Sequence, residues 1–475
     1  MKFKLLIAGG LLSLGLSGQA NAAFFVDTYD HVSSEGSIYD VTVGDFDSDG
    51  DLDFAIHYLN SFDRNTEIET WFNNGSGGFT QGSVITTNFG AYSSVGYLNY
   101  ADLSGDGEKD LIISGHKLSG AVDVLVFTGD GVGGFGGSVN VINIGTPRAS
   151  SANDWKYSLV DMNNDGQMDI LSHGNSYLAA VTANINQGGG VFTQVVNDYN
   201  ALTSAFVPAS AATSNGNNAI LDVSQDITGD GFVDMVVVSV NYSSLLATEL
   251  IQVLAGDGLG GFTHLATTVM GTALDTGISH GSIKVGDVNN DGIKDVVYSY
   301  ERTSYFYTSA EVRVVLGLGN GSFSTTPTVL TGTGSDLGLT LNDIDADGDL
   351  DIVSPALSQS PSVGVLLNDG VGAFTSPQIT NLPTYNAFSY RIADFDGNGL
   401  NDILVGTKTA SYNTLQFNVL LNGVTSSAQP SAATDNNALG ADTAGGGCIS
   451  SAPVTLNVLL MLLFISLVAR YRKVS

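Results

Sequence analysis

The chain of 475 residues contains little cysteine and few basic side chains. Its single cysteine, Cys448, lies near the C-terminus, so neither disulfide bonds nor thiol catalysis can operate in the residues before it. Lysine and arginine number 16 against 47 aspartates and glutamates, which gives a formal net charge of −31 at pH 7. This charge disfavours nucleic acid and anionic lipid as partners, because both are negatively charged themselves.

Several well-known enzyme signatures are also missing. The chain has no Gly-x-Ser-x-Gly nucleophile elbow, no phosphate-binding loop and no His-Glu-x-x-His zinc site. No catalytic residue is therefore assigned from a motif.

What the chain does contain is a nine-residue acidic signature in seven copies, Asp-x-(Asp/Asn/Ser/Thr)-x-(Asp/Asn)-Gly-x-x-Asp. We number the copies loops 1 to 7; they cover residues 45–53, 102–110, 161–169, 226–234, 287–295, 343–351 and 394–402. Their starting points are 51 to 65 residues apart. Such a period is typical of one supersecondary unit repeated along the chain.

The signature places oxygen atoms at alternate positions around a turn, as a hard cation such as Ca²⁺ requires. Positions 1, 3, 5 and 9 supply side chains, position 7 supplies its backbone carbonyl, and the glycine at position 6 permits a positive φ. The predicted ligands of up to seven calcium ions are Asp45, Asp47, Asp49, Asp51, Asp53, Asp102, Ser104, Asp106, Glu108, Asp110, Asp161, Asn163, Asp165, Gln167, Asp169, Asp226, Thr228, Asp230, Phe232, Asp234, Asp287, Asn289, Asp291, Ile293, Asp295, Asp343, Asp345, Asp347, Asp349, Asp351, Asp394, Asp396, Asn398, Leu400 and Asp402.

The number of acidic side chains predicts how tightly each loop binds calcium, and the residues that flank the loops show whether they belong to an EF-hand. Loops 1 and 6 carry acids at all four side-chain positions, whereas each other loop has one neutral substitute, so loops 1 and 6 are predicted to bind calcium most tightly. An EF-hand is not predicted, because position 12 is never an acid and the flanks have strand character. Seven metal-free turns are the alternative, since Asp, Asn and Gly favour turns without any ion.

Strand patterns surround every loop. An alternating apolar run precedes it, as at Val41 and Val43, and a continuous apolar run follows it, as at Phe54-Ala55-Ile56. The first pattern indicates a half-buried strand and the second a strand buried on both faces. Six units then continue into a glycine-rich hairpin that ends on phenylalanine: Gly75–Phe79, Gly131–Phe135, Gly188–Phe192, Gly258–Phe262, Gly319–Phe323 and Gly370–Phe374.

The seventh unit lacks this hairpin and stops at Gly423. The segment Phe24-Phe25-Val26 has the character of the missing last strand. We therefore predict that it pairs with the strand ending near Leu421 and closes a ring, which removes exposed sheet edges. The alternative is that this segment is a remnant of a signal peptide.

These motifs in combination resemble the VCBS/FG-GAP repeat family, whose calcium-loop repeats also occur in integrin α chains. The resemblance covers residues 24 to 424 and is carried by segments such as Asp45–Asp53 and the hairpin Leu367–Phe374. It implies an all-β fold, a seven-bladed β-propeller with calcium in the loop between two strands of each blade. It implies no particular ligand, because propellers host binding, scaffolding and catalysis alike.

Both ends of the chain carry targeting features. Lys2 and Lys4 precede an apolar core from Leu5 to Leu16, which is followed by Ala20-Asn21-Ala22. This pattern predicts a secretory signal peptide over residues 1–22; a retained N-terminal anchor is the alternative. The propeller is assigned to 23–424. Residues 425–447 are expected to form a flexible linker, and 448–475 a transmembrane segment whose basic tail stays inside.

The C-terminal tail resembles the GlyGly-CTERM sorting signal. The residues that carry this resemblance are Gly445, Gly446, Gly447 and Cys448, which precede the apolar segment. It implies cleavage near the glycines by a sorting protease of the rhomboid family. It also implies a cell-surface or outer-membrane location in a Gram-negative bacterium, reached through an intermediate that spans the inner membrane. A plain C-terminal anchor with an incidental cysteine is the alternative.

The strand after each acidic loop runs to the opposite face of the ring, so polar residues near its end are candidates for ligand contact. They are His57, His116, Lys117, His173, Tyr242, Arg302 and Lys408. Ordinary polar positions at strand ends would look the same. Trp71 and Trp155 could stack on sugars but are expected to be buried.

The expected function is a monomeric, surface-anchored, calcium-binding adhesion module for an extracellular glycan or protein. The alternative is a polysaccharide lyase, because some lyases use His, Tyr and basic residues on one face of a related propeller.

Overall fold

The computed structural model describes most of the repeat region of the chain. All of the described residues fall within one compact unit, Met1–Ala428. They are residues 25–28, 31–33, 36–60, 66–87, 92–117, 122–145, 155–174, 180–198, 220–243, 246–273, 278–303, 308–331, 338–355, 362–382, 387–408 and 415–423. The predicted signal peptide, linker, sorting motif and transmembrane segment lie outside these ranges. Within them, no helix is long and apolar enough to cross a bilayer.

The described residues form twenty-nine strands. Two short strands come first, β1 (Phe25–Thr28) and β2 (His31–Ser33). Blade 1 contains β3 (Gly36–Gly44), β4 (Asp53–Asn60), β5 (Thr66–Asn73) and β6 (Phe79–Thr87). Blade 2 contains β7 (Tyr92–Ala101), β8 (Asp110–Lys117), β9 (Val122–Gly129) and β10 (Phe135–Gly145). Blade 3 contains β11 (Trp155–Val160), β12 (Asp169–Gly174), β13 (Ala180–Asn186) and β14 (Phe192–Asp198).

The second half of the ring repeats this arrangement. Blade 4 contains β15 (Ile220–Gln225), β16 (Asp234–Ser243), β17 (Leu246–Gly256) and β18 (Phe262–Ala273). Blade 5 contains β19 (Ile278–Gly286), β20 (Asp295–Thr303), β21 (Thr308–Val315) and β22 (Thr328–Thr331). Blade 6 contains β23 (Thr340–Asn342), β24 (Asp351–Pro355), β25 (Ser362–Leu366) and β26 (Gln378–Asn381). Blade 7 contains β27 (Ala387–Ala393), β28 (Asp402–Lys408) and β29 (Leu415–Asn422).

Each blade is an antiparallel sheet in which strands consecutive in sequence are hydrogen-bonded neighbours. Seven such sheets around one axis confirm the predicted seven-bladed β-propeller. The first strand of each blade lies nearest the axis, since β3 contacts β7 of the next blade and β15 contacts β19. In an antiparallel sheet of four consecutive strands, the connection between the first two strands and the connection between the last two lie at the same end. The acidic loops and the glycine-rich hairpins therefore lie together at one end of the ring.

The ring closes as the sequence predicts, with strands from both ends of the chain in blade 7. Strand β1 pairs antiparallel with β29, so that Phe25 lies opposite Asn422 and Thr28 opposite Leu420. Strand β2 pairs with the beginning of β29, where His31 lies opposite Phe417. The N-terminal strands thus take the place of the hairpin that the seventh unit lacks.

The hydrophobic core lies between blades rather than within them. At the closing joint, Phe54 and Trp71 of blade 1 pack with Phe395, Leu404 and Phe417 of blade 7. The rings of Phe54 and Phe417 are 4.6 Å apart, centroid to centroid. Trp71 is 2% exposed, which confirms the expectation that it is buried. Each blade packs against a neighbouring blade on both faces, so its second strand is buried on both sides. This burial explains the continuous apolar runs that the sequence shows in the second strands.

A polar joint on the axis links blades 7, 1 and 2. The Asp40 carboxylate accepts hydrogen bonds from the Leu98 N–H at 2.9 Å and from the Ser389 hydroxyl at 2.6 Å. Arg391 of blade 7 lies 3.2 Å from the same carboxylate. One buried aspartate of blade 1 therefore contacts both neighbouring blades.

Candidate functional site

Every acidic loop connects the first and second strands of its blade, as predicted. The glycine at position 6 has a φ between 84° and 98° in all seven loops. Position 4 is also left-handed, which the sequence analysis did not anticipate. It is occupied by Gly105, Gly229 and Gly397 in three loops and by Ser48, Asn164, Asn290 and Ala346 in the others. The signal for this was available, since glycine and asparagine tolerate positive φ best.

The aspartate at position 1 holds the turn together. In loop 1, Asp45 Oδ1 accepts the Asp49 N–H at 3.1 Å and Asp45 Oδ2 accepts the Gly50 N–H at 3.2 Å. Asp49 Oδ1 in turn accepts the Asp51 N–H at 2.9 Å. The side chains at positions 1 and 5 are therefore fixed by the loop backbone, which leaves their other lone pairs for a cation.

The aspartate at position 9 has a structural role that spacing alone does not reveal. Asp53 Oδ2 accepts the Phe46 N–H within the loop, and Asp53 Oδ1 accepts the Asn73 N–H at the end of β5, both at 2.8 Å. The same two contacts recur in every blade. Burial raises the pKa of Asp53 to about 6 and that of Asp402 to about 7, although the backbone donors oppose the shift. A cation nearby would favour the charged form.

At position 3, one side-chain oxygen has no hydrogen-bond partner in three of the loops. Asp47 Oδ1, Ser104 Oγ and Asp345 Oδ1 are shielded from water and have no hydrogen-bond partner. Burial together with neighbouring carboxylates raises the pKa of Asp47 and of Asp345. Buried polar atoms without partners are uncommon in native proteins and often indicate an ion or water.

Three loops bring three acidic side chains to one point. In each group, ligand oxygens lie within 4.8 Å of one another; the groups are Asp45, Asp47 and Asp53; Asp343, Asp345 and Asp347; and Asp394, Asp396 and Asp402. Calcium takes oxygen ligands at 2.3–2.6 Å, so oxygens on opposite sides of the ion lie about 5 Å apart. The donor set and its spacing therefore fit calcium. The four other loops, all in the described part of the chain, have Ser104, Asn163, Thr228 or Asn289 at position 3.

The acidic loops also take part in the contacts between blades. Asn73, at the end of β5, donates through Nδ2 to the Phe395 carbonyl in loop 7 at 2.8 Å. Asn186, Asn368 and Asn422 make the same contact with the preceding blade. In blades 2, 4 and 5 this position is Gly129, Gly256 or Gly317, where a Cβ would lie only 2.1–2.3 Å from a carbonyl of the same blade. Loop geometry and blade packing are therefore coupled.

Two of the predicted ligand-face residues, His57 and His173, are buried. His57 is fully buried, stacks on Tyr39 at 5.3 Å, and has its pKa lowered by burial to about 3. It cannot contact a surface ligand, which corrects its assignment; the neighbouring blades cover its strand on both faces. His173 is buried as well but lines the cavity described below. The backbones of His116, Lys117, Tyr242, Arg302 and Lys408 lie at or near the ends of their strands, and their side chains lie outside the described part of the structure.

A cluster of His, Tyr and Arg side chains does occur between blades 4 and 5, but most of it is buried. Glu249 lies 3.1 Å from His280 Nε2 and also pairs with Arg313. The Arg313 guanidinium lies 3.5 Å from the centroid of the Tyr300 ring. Burial tends to raise the pKa of Glu249, but His280 and Arg313 outweigh this and lower it. The satisfied contacts indicate a structural ion pair rather than a catalytic group.

An open cavity of about 160 Å³ lies on the axis, where the first strands of blades 2 to 5 face one another. Its lining residues are Tyr97, Tyr157, Ser158, His173, Ile220, Leu221, Gly281, Ser282, Ile283 and Lys284. Sequence reasoning missed this cavity, because no local motif marks it and its walls come from four separate repeats.

Comparison with known proteins agrees with the repeat assignment. The FG-GAP-like repeat family matches residues 102–172 and 226–298. Each matched segment begins at the first residue of an acidic loop. It continues past the next acidic loop and ends in the strand that follows that loop, β12 or β20. The chain therefore contains FG-GAP-like repeats within a seven-bladed propeller. No curated protein matches the chain.

Solved structures also resemble the chain. Among them is the crystal structure of AofleA from Arthrobotrys oligospora, with a TM-score of 0.39 and 11% sequence identity, covering 76% of this chain and 91% of that chain. A mutant of the same protein with three arginine-to-alanine changes gives the same values.

Proposed function

We propose that this protein is a calcium-stabilised binding propeller, exported and held at the outer surface of a Gram-negative cell, where it engages a glycan or a protein. The FG-GAP-like repeats and the propeller fold support a binding-type module. In such a fold the blades form a rigid frame, and loops and cavities supply recognition.

The observation that carries the calcium proposal is the chemistry of the acidic loops. Three loops gather three carboxylates each, and Asp47 and Asp345 hold a buried oxygen that has no protein partner. Carboxylates packed this closely repel one another, and a divalent cation relieves that repulsion. Calcium would therefore act on stability first, since loops 2, 5, 6 and 7 also accept hydrogen bonds from the following blade.

Export and anchoring are proposed from the sequence. The basic start, apolar stretch and small residues at Ala20-Asn21-Ala22 support a signal peptide. The segment from Gly445 to Cys448, followed by an apolar stretch and a basic end, supports C-terminal sorting by a membrane protease. Mass spectrometry of the protein from the surface of the native cell tests both, because it locates the two new termini.

The binding function is tested with the mature, calcium-loaded protein on a glycan array and against extracellular proteins of the same cell. Saturable binding to a defined ligand is expected, and no binding in either assay would contradict the proposal. Incubation with acidic polysaccharides tests the lyase alternative in the same preparation. Unsaturated products would replace a binding role with an enzymatic one.

A further inference from the structure

We infer that the axial cavity binds a carboxylate-bearing sugar, a uronic acid unit, through Lys284. The inference rests on the proposed glycan-binding role and names the class of sugar. It is drawn from the walls of the cavity, from the lysine among its described lining residues and from its volume.

The cavity walls are held in place by hydrogen bonds between blades. The Tyr157 hydroxyl, from β11, donates to the carbonyls of Tyr97 and Ile112 in blade 2, both at 3.1 Å. On the other side, the Val285 N–H of blade 5 donates to Asp222 Oδ2 of blade 4 at 3.0 Å. Because these contacts tie neighbouring first strands together, the cavity is formed before any ligand arrives, which lowers the cost of binding.

A bulge in β19 shapes the wall that carries Lys284. Regular pairing between β19 and β20 is interrupted between His280 and Ile283. The N–H groups of Gly281 and Ser282 donate instead to the Ser299 hydroxyl, at 3.0 and 2.8 Å. Bulges re-aim side chains and occur next to functional sites more often than chance predicts. Here the bulge and the two residues after it form one side of the cavity.

Within the described part of the chain, Lys284 is the only lysine or arginine that lines the cavity. Two aspartates on first strands already have partners: Asp222, on the neighbouring strand β15, accepts the Val285 N–H, and Asp40, on β3 of blade 1, pairs with Arg391. Among the described residues, no carboxylate forms an ion pair with Lys284. A half-buried ammonium group without a carboxylate partner attracts an anion, and a carboxylate is the anion that forms a strong, charge-assisted hydrogen bond with it.

The remaining walls fit a sugar rather than a bare anion. Tyr97 is 41% exposed and offers an aromatic surface, which suits the apolar C–H face of a sugar ring. Ser158 and Ser282 add hydroxyl groups that donate and accept hydrogen bonds. The volume of about 160 Å³ is many times the space that one water molecule needs, so the cavity has room for a small organic molecule. One sugar ring, free or at the end of a chain, is the ligand of that size.

Isothermal titration calorimetry on the calcium-loaded mature chain tests the inference. The probes are galacturonate and glucuronate, with galactose, acetate and inorganic phosphate as comparisons. The uronates are expected to bind, and Lys284→Met should weaken them by about tenfold or more, the effect of losing one charge-assisted hydrogen bond. Ser158→Phe fills the cavity and should also abolish binding. Lys109→Met is the matched control, because that side chain lies over Tyr100, away from the cavity, and supplies no ligand oxygen.

Three outcomes would overturn the inference: unchanged uronate affinity in both cavity variants, equal affinity for galactose, or equal affinity for acetate and phosphate. The last would mark a simple anion site. Circular dichroism and melting of each variant confirm that it folds. If glycan-array binding persists while uronates fail in calorimetry, the cavity assignment falls and the proposed binding function stands. If neither the glycan array nor the assays against extracellular proteins detect binding, the proposed binding function is wrong as well.

Discussion

At the scale of single residues, the loops combine conformations and contacts that spacing alone only partly reveals. The alternation of acids and the glycine at position 6 predict a turn able to bind a cation, and all seven turns are present. Spacing cannot reveal that both oxygens of Asp53 accept backbone N–H groups, because one donor, Asn73, lies twenty residues further along the chain. Nor does it show that His57 is covered by neighbouring blades.

Ala346 provides a test of backbone strain in these loops. Its φ is 58°, a conformation that costs a residue with a Cβ about 1–2 kcal/mol. Ala346→Gly should remove that cost, although the unfolded chain gains entropy worth about 0.4–1 kcal/mol. A net stabilisation on the order of 0.5–1 kcal/mol is expected in denaturant unfolding at saturating calcium.

The matched control is Gly348→Ala in the same loop. Gly348 has a φ of 98°, and a Cβ there would meet no atom within 4 Å, so the change tests backbone conformation alone. It should destabilise by about 1–2 kcal/mol. Equal effects of the two substitutions would show that strain does not govern this loop.

Glu69 provides a test of pH dependence at the joint between blades 7 and 1. It is 1% exposed, and burial raises its pKa from 4.5 to about 7. Between pH 4.5 and about 7, Glu69 is therefore protonated in the folded state and ionised in the unfolded chain. The resulting stability is present below pH 4.5 and declines as the pH rises to about 7.

Glu69→Gln should abolish that decline, because glutamine does not titrate. At pH 8 the variant should be more stable than the wild type by up to about 3 kcal/mol. The measurement is the free energy of unfolding between pH 4.5 and 8. Parallel pH profiles of variant and wild type would show that Glu69 does not titrate in this range.

At the scale of strands and blades, the repeat period predicts the order of the elements well. Seven signatures give seven blades, and the hairpin missing after Gly423 correctly predicts the shared blade. The bulge at Gly281 and Ser282 could not be predicted, because it depends on Ser299 in the next strand. The axial cavity could not be predicted from the sequence for the same reason, because its walls meet only when four repeats are placed around the ring.

Removal of β1 and β2 tests the closure of the ring. Without residues 23–33, strand β29 has no outer partner and presents unpaired N–H and C=O groups, a hazard for aggregation. The shortened chain should melt at a lower temperature and elute partly as oligomers in size-exclusion chromatography. A monomer with the wild-type melting temperature would show that blade 7 is stable with three strands.

At the scale of the whole molecule, charge and metal act together. Seven divalent ions would neutralise fourteen of the thirty-one net negative charges. The acidic loops lie at one end of the ring and contact neighbouring blades through Asn73 and its equivalents. Repulsion within a loop should therefore weaken the packing of whole blades.

Removal of calcium by a chelator should lower the melting temperature. An ion that binds only the folded state at 100 times its Kd contributes about 2.7 kcal/mol, so a shift on the order of 3 °C is expected for each tight site in a domain of about 400 residues. Calorimetric melts with calcium, with EDTA and with magnesium measure it. An unchanged melt in EDTA would contradict the calcium assignment.

The pairing of β1 with β29 has a consequence for how the chain is made. Strand β1 leaves the ribosome early, but its partner is nearly four hundred residues downstream. Each earlier blade has all its strands once its own segment has been made, whereas blade 7 stays incomplete until β29 has been synthesised. Blade 7 is therefore the last blade that can assemble, and until then the first strand is a segment that chaperones must shield from wrong partners.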